Sequence, residues 1–222
     1  MKKNFVHLVL LSAAALLLSA PVHAQSGSSV QYREGLHYFV IEDGTEAPKG
    51  SAEVVEVFSY LCSHCSTFEP YINSWVKRNA ETANFTRIPV VFGRKPWEIY
   101  ARGYVTAQMM GLGDDVHAAL MEKIWKEKAV MRDMEDLAAF YSTFGVDPKA
   151  FIATSKSFAV DARMRKEQHL VQTYGIRATP SLVLNGRYRI AGSEAVPSFD
   201  VMLDVLDYLI ASESQKEFSV LE

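Results

Sequence analysis

The rhythm of apolar and polar positions changes along this chain, and each change marks an element. Val54-Val55-Glu56-Val57-Phe58-Ser59-Tyr60-Leu61 is a nearly unbroken run of β-branched and aromatic residues, the pattern of a buried strand. Phe68, Tyr71, Ile72, Trp75 and Val76 then recur at helical spacing and predict one buried helix face. Pro70 falls inside that helix, where it removes a backbone bond and predicts a kink. His37 to Ile41, and Phe85 to Phe92 ended by Gly93, read as further strands, with turn chemistry at Asp43-Gly44 and Pro48-Lys49-Gly50-Ser51.

From Lys95 to about Phe158 strand patterns stop and helical ones take over. The segments are Trp97 to Met110, Asp114-Asp115 to about Lys128, Asp133 to Phe144, and one opened by Asp147-Pro148. Ala101, Val105, Met109 and Leu112 form a stripe read as core, and His117 with Asp114-Asp115 reads as a solvated helix start. A longer helix over about Ala159 to Tyr174 follows. Thr179-Pro180 then opens a strand, and Asn185-Gly186 between two β-type runs predicts a hairpin. Pro197 to Ala211 predicts a closing amphipathic helix carrying Phe199, Met202, Leu203, Leu206 and Ile210, with no element assigned from Ser212 onward.

The first residues add a destination. Lys2 and Lys3, the apolar core Phe5 to Leu18, and Ala20-Pro21-Val22-His23-Ala24 read as a secretory leader cleaved before Gln25. The apolar run is short for a membrane span, and no Cys follows it to carry a lipoprotein anchor. Gln25 to Ser29 reads as a polar lead-in. Loss of Lys2 and Lys3 leaves 21 basic residues against 26 acidic ones, a mature charge of −5. That balance gives no basic stripe for nucleic acid, and no second hydrophobic span or solenoid repeat follows.

The candidate chemistry sits where strand hands over to helix. Cys62 and Cys65 are the only cysteines in the 222 residues, and they flank Ser63-His64. At a helix N-terminus the unpaired N–H groups and the helix dipole stabilise an anion, and a protonated His64 adds to this. Both effects lower the Cys62 pKa, which makes Cys62 the exchanging sulfur and the disulfide oxidising. Cys65, one turn deeper, is expected to be buried with a higher pKa and to resolve. A structural disulfide across two residues would stabilise little. Zinc lacks a second ligand pair, since His37, His117 and His169 are scattered. A c-type haem site needs His where Ser66 stands.

Phe58-Ser59-Tyr60-Leu61-Cys62-Ser63-His64-Cys65, Pro70, Thr179-Pro180 and the Asn185-Gly186 hairpin together resemble the DsbA family of exported thiol–disulfide oxidoreductases. The resemblance covers essentially the whole mature chain. It implies an α/β thioredoxin fold with an inserted helical domain: leader 1–24, first thioredoxin-like part 25–94, helical insertion 95–158, second thioredoxin-like part 159–222. It implies that Pro180 is a cis-proline facing the disulfide, that Thr179 offers its backbone to a substrate strand, and that Glu56 is a buried acid serving the Cys65 proton. The alternative for Glu56 is a solvated acid at a strand edge. Position 63 is Ser where the best-known members carry Pro, which alters how far the Cys62 thiolate is stabilised.

The function expected is donation of the Cys62–Cys65 disulfide to reduced, newly exported proteins in the periplasm. A membrane quinone-linked oxidase would recharge it, with no cofactor or metal held by the chain itself. The protein is expected to be a monomer that does not insert into the membrane. Two rivals remain at this point. One is an isomerase or reductase of the same superfamily, although about a dozen residues before the first strand leave no room for the usual dimerisation domain. The other is a peptide-binding protein with a structural disulfide.

Overall fold

The β-rich run before the cysteines forms strand β2 (Ala52–Phe58), and it has strand partners on both sides. The structure is a computed structural model that describes residues 31–42 and 50–220, with side chains described through Gln215. The expected leader, the lead-in Gln25–Ser29 and most of the turn residues between 43 and 49 lie outside those residues.

Five strands make one sheet of order β1-β5-β4-β2-β3, where β1 is Phe39–Val40, β3 Ala83–Pro89, β4 Ser181–Leu184 and β5 Tyr188–Ala191. β2 runs parallel to β3 and antiparallel to β4, and β5 is antiparallel to both β4 and β1. The parallel pair needs a crossover, and α1 (Ser63–Arg78) supplies it. The register sets Glu56 opposite Arg87 on β3 and opposite Leu182 on β4. A residue flanked by strands on both sides has no solvent edge, and Glu56 is fully buried. The edge-strand alternative for this acid is therefore excluded.

The two-residue period of β2 sorts its side chains. Val54 joins a core made by Phe68, Ile72 and Trp75 of α1, Leu182, Leu184, Ile190, and Met202, Val205 and Leu206 of α7 (Phe199–Val220). Val57 points the other way, into a smaller core with Ile88, Val171, Ile176 and Val183. Phe58 enters a third core with Tyr60, Cys65 and the helices between β3 and β4. Those helices are α2 (Lys95–Met109), α3 (Asp114–Trp125), α4 (Met134–Ser142), α5 (Pro148–Ser155) and α6 (Phe158–Thr173). Asp133, Asp147 and Ser157 cap α4, α5 and α6 by accepting the backbone N–H three residues on.

Pro70 lies inside α1, as its place in the sequence predicts, and the helix runs on to Arg78. Other expectations differ from the structure. β3 stops at Pro89, with Val90 N still donating to the Phe58 carbonyl at 2.9 Å, and Phe92 and Gly93 then take positive φ. α3 ends at Trp125, with Lys128 in the left-handed region just beyond. α7 runs nine residues past Ala211, to Val220. Of the apolar stripe, Ala101 and Val105 are buried but Met109 is exposed, because an i, i+4, i+8 row rotates about 80° around a helix. Tyr71 is likewise exposed, packing edge-on against Phe199. His117 is not solvated: it is 3% exposed and sits among Phe58, Tyr60 and Tyr104.

Candidate active site

The loop from Ser59 to Cys62 is pinned before the helix begins. Cys62 N donates to the Ser59 carbonyl at 3.1 Å and Leu61 N to Ser59 Oγ at 3.2 Å, while the Trp125 indole of α3 donates to the Tyr60 carbonyl at 2.8 Å. Cys62 is the N-cap of α1, with extended backbone (φ −99°, ψ 116°), and Ser63, His64 and Cys65 form the first helical turn. The sulfur thus stands where a capping oxygen ordinarily does.

Both cysteines are free thiols here, so the geometry is that of the reduced protein. The Cys62 pKa is lowered to about 5. A hydrogen bond from the Cys65 thiol is the main cause; the Thr179 side chain and the amides of Cys65 and His64 add to it, against partial burial. The Cys65 thiol is pushed far up, first by burial and then by the neighbouring Cys62 sulfur and the charge of Glu56. The two sulfurs are therefore chemically unlike, as their places on the helix predict. His64 itself is exposed and lines a groove beside Cys62, and its backbone N–H is one of the groups that lower the Cys62 pKa. Ser63 is exposed, and its carbonyl accepts the Thr67 hydroxyl at 3.0 Å.

The second half of the fold brings Thr179-Pro180 to the sulfur. The Thr179–Pro180 peptide is cis, and Cys62 Sγ lies 3.3 Å from the Thr179 carbonyl, to which it donates when protonated. Beside this contact lies an open groove of about 630 Å³, lined by His64, Tyr71, Thr179, Pro180, Val196 and Phe199 among others. Its lining includes the segment after β5 and the start of α7, which no apolar pattern in the sequence marks as part of a groove. Val196-Pro197 ahead of Phe199 was its one sequence signal.

Beneath the cysteines lies a buried charge cluster of which the sequence reading names only Glu56 as a buried acid. Glu56 Oε2 accepts from Arg87 Nε at 2.9 Å, and Glu56 Oε1 has no hydrogen-bond partner among the described residues. Arg87 further reaches Asp114 Oδ1 of α3 and Asn73 Oδ1 of α1, each at 2.8 Å. Glu69 accepts from Asn73 at 3.0 Å and meets His117 Nε2 at 2.8 Å, while His117 Nδ1 meets the Tyr60 hydroxyl at 2.9 Å. Burial raises the Glu56 pKa to about 7, helped by the charge of Glu69 and opposed by Arg87. For Glu69 burial acts upward too, but the His117 hydrogen bond, Arg87 and Asn73 outweigh it and hold this carboxyl below the ordinary value. One turn separates Glu69 from Cys65, so the i, i+4 rule was the signal available for it.

A family model for the DSBA-like thioredoxin domain matches residues 53–204. The thiol:disulfide interchange protein DsbA of Pseudomonas syringae pv. tomato is 37% identical over 206 residues, 89% of this chain and 95% of that protein. The crystal structure of Pseudomonas aeruginosa DsbA superposes with a TM-score of 0.76 at 33% identity, covering 84% of this chain and 96% of that one. Oxidoreductase DsbA from Xylella fastidiosa gives a TM-score of 0.74 at 34% identity, covering 81% and 96%.

Proposed function

The chain belongs to the DsbA-like thioredoxin family of thiol–disulfide oxidoreductases, and from that premise we propose that it is an exported dithiol oxidase that donates the Cys62–Cys65 disulfide. The observation that carries this reading is the asymmetry of the two sulfurs. Cys62 is half-exposed, thiolate-favouring and beside the groove, whereas Cys65 is buried and strongly proton-holding.

In the oxidised protein, a substrate thiolate attacks Cys62 Sγ, forming the mixed disulfide and expelling the Cys65 thiolate. Cys65 takes up a proton, for which the protonated form of Glu56 is the nearby source. A second substrate thiolate then attacks the substrate sulfur. The substrate disulfide forms, and Cys62 leaves as the thiolate that its N-cap position stabilises. An extended substrate would pair with the backbone at Thr179 and lie in the groove against Pro180. Ser63, facing solvent, leaves the amide contribution to Cys62 in place.

The substrates on this reading are reduced proteins newly arrived in the periplasm, reached through removal of residues 1–24. A membrane quinone-linked oxidase restores the disulfide. The working unit is a monomer with thioredoxin-like parts 25–94 and 159–222 around a helical insertion 95–158. Among the described residues no helix is long and apolar enough to cross a membrane.

The test is the redox equilibrium of Cys62–Cys65 against glutathione buffers, where about 30 mV corresponds to roughly 1.4 kcal/mol. A potential well above the glutathione poise is expected. A potential near that of thioredoxin would overturn the oxidase reading in favour of a reductase or a structural disulfide.

A further inference from the structure

Arg87 is one formal positive charge facing three carboxylates, Glu56, Glu69 and Asp114. Asp114 lies largely in water, which leaves one buried cation for two buried carboxyls, and burial with their mutual repulsion raises the affinity of the pair for a proton. Two buried carboxyls compete for it. Glu56 lies near enough to Cys65 for its charge to act on that thiol, and its Oε1 is free of hydrogen bonds among the described residues. Glu69 is four residues along α1 and holds donors on both oxygens.

The donor that separates them comes from outside the thioredoxin-like strands. His117 of α3 is buried between Glu69 and the Tyr60 hydroxyl, with Phe58, Tyr60 and Tyr104 packed around its ring. Facing it are Tyr60 from the active-site loop, Glu69 from α1, Arg87 from β3, Tyr104 from α2 and Asp114 from its own helix. Burial disfavours an imidazolium here. With Glu69 ionised, as its depressed pKa favours, the neutral ring donates Nε2–H to Glu69 and accepts the Tyr60 O–H at Nδ1. A carboxylate oxygen fed by that N–H gives up its claim on the proton.

We propose that His117 is a positioning residue for the thiol–disulfide reaction, whose hydrogen bond to Glu69 keeps the exchangeable proton of the carboxylate cluster on Glu56, beside Cys65. This inference rests on the exchange reading above and assigns the helical segment a part in it. When reduced protein closes its disulfide, the Cys65 thiol passes its proton to ionised Glu56. The Cys65 thiolate then attacks Cys62 in the mixed disulfide, and the bound thiol leaves as thiolate. Without the His117 donor, Glu69 competes for the proton and Glu56 ionises at lower pH.

The experiment uses the full chain and three variants. H117F keeps an aromatic ring but no donor, H117N offers an amide at the Nδ1 position only, and H117Q reaches toward Glu69. Nuclear magnetic resonance of 13C-labelled Glu side chains reads which carboxyl titrates. Stopped-flow reaction with dithionitrobenzoate reads ring closure as release of the second nitrothiobenzoate. In the native protein Glu56 should titrate near pH 7 with Glu69 ionised there, and closure should accelerate through the same pH.

In H117F both the Glu56 titration and the closure inflection should move down by about half to one pH unit, with H117Q restoring them. An inflection that stays in place while all rates fall together would make His117 merely structural and overturn the proposal. If H117F fails to fold, H117N against H117Q decides by the same readouts. If the native protein shows no second release, it is the exchange reading that fails; the carboxyl titrations still decide what His117 does.

Discussion

At the scale of single residues, the chemistry rests on one sulfur being cheap to ionise and its neighbour costly. Alkylation of reduced protein by iodoacetamide should therefore be confined to Cys62 and half-maximal near pH 5, not near the ordinary thiol value of 9. A midpoint above about 8 would remove the N-cap account. His64→Ala takes away an imidazole but leaves the residue's N–H, one of the amides that favour the thiolate. The midpoint should rise in that variant and the disulfide become less oxidising, yet the midpoint should stay well below 9. A full return to 9 would credit the ring alone. Cys62→Ser should abolish oxidation of reduced proteins, measured as loss of refolding of a reduced, disulfide-requiring substrate.

At the scale of elements, much was readable because local pattern and tertiary role coincide. Asn185 and Gly186 both take positive φ, as the hairpin signal requires, and Asn185 adds a contact that no hairpin rule contains. Its side chain accepts from Glu53 N at 2.8 Å, and its own N–H donates to the Glu53 carbonyl at 2.7 Å, tying the turn to the start of β2. Asn185→Ala keeps the second bond, loses the first and strains the left-handed backbone. A loss of about 1–3 kcal/mol in denaturant unfolding is expected, and an unchanged midpoint would show the tie to be idle.

Cys62, Cys65, Thr179 and Pro180 were legible for a related reason: their spacing and flanking patterns are themselves local. Arg87, His117 and Trp125 were not. Nothing local marks their place: the packing of α3 against the Ser59–Cys62 loop reveals His117 and Trp125, and the pairing of β3 with β2 reveals Arg87. His117 follows two aspartates at a helix start, a context that reads as solvated when nothing shows what the helix leans on. Glu56 lies between these cases: the apolar run around it announced burial, while Arg87 opposite it became visible only through the register of β2 on β3.

At the scale of the whole molecule, a carboxyl kept poised near pH 7 inside the sheet has a stability cost with a definite sign. The folded-state pKa of Glu56 is raised from 4.5 to about 7. The folded protein therefore binds the extra proton more tightly than the unfolded chain does. Its stabilising contribution is fully present below pH 4.5 and is lost as pH rises through 7. Glu69 acts in the opposite sense, its depressed pKa giving stability above 4.5 that is lost on acidification. Comparing native protein with Glu56→Gln cancels groups common to both, including His117 and the raised Glu167. Using the disulfide form removes the titration of Cys62, whose depressed pKa would otherwise add stability as pH rises from about 5 toward 9. Under those conditions the variant should gain on the native protein by on the order of 2–3 kcal/mol between pH 4.5 and pH 8, read from urea unfolding at each pH. A difference independent of pH would mean that Glu56 stays ionised throughout, held by Arg87 alone. In that case the buried acid could accept the Cys65 proton but would have none to give, and the two directions of exchange would need different partners.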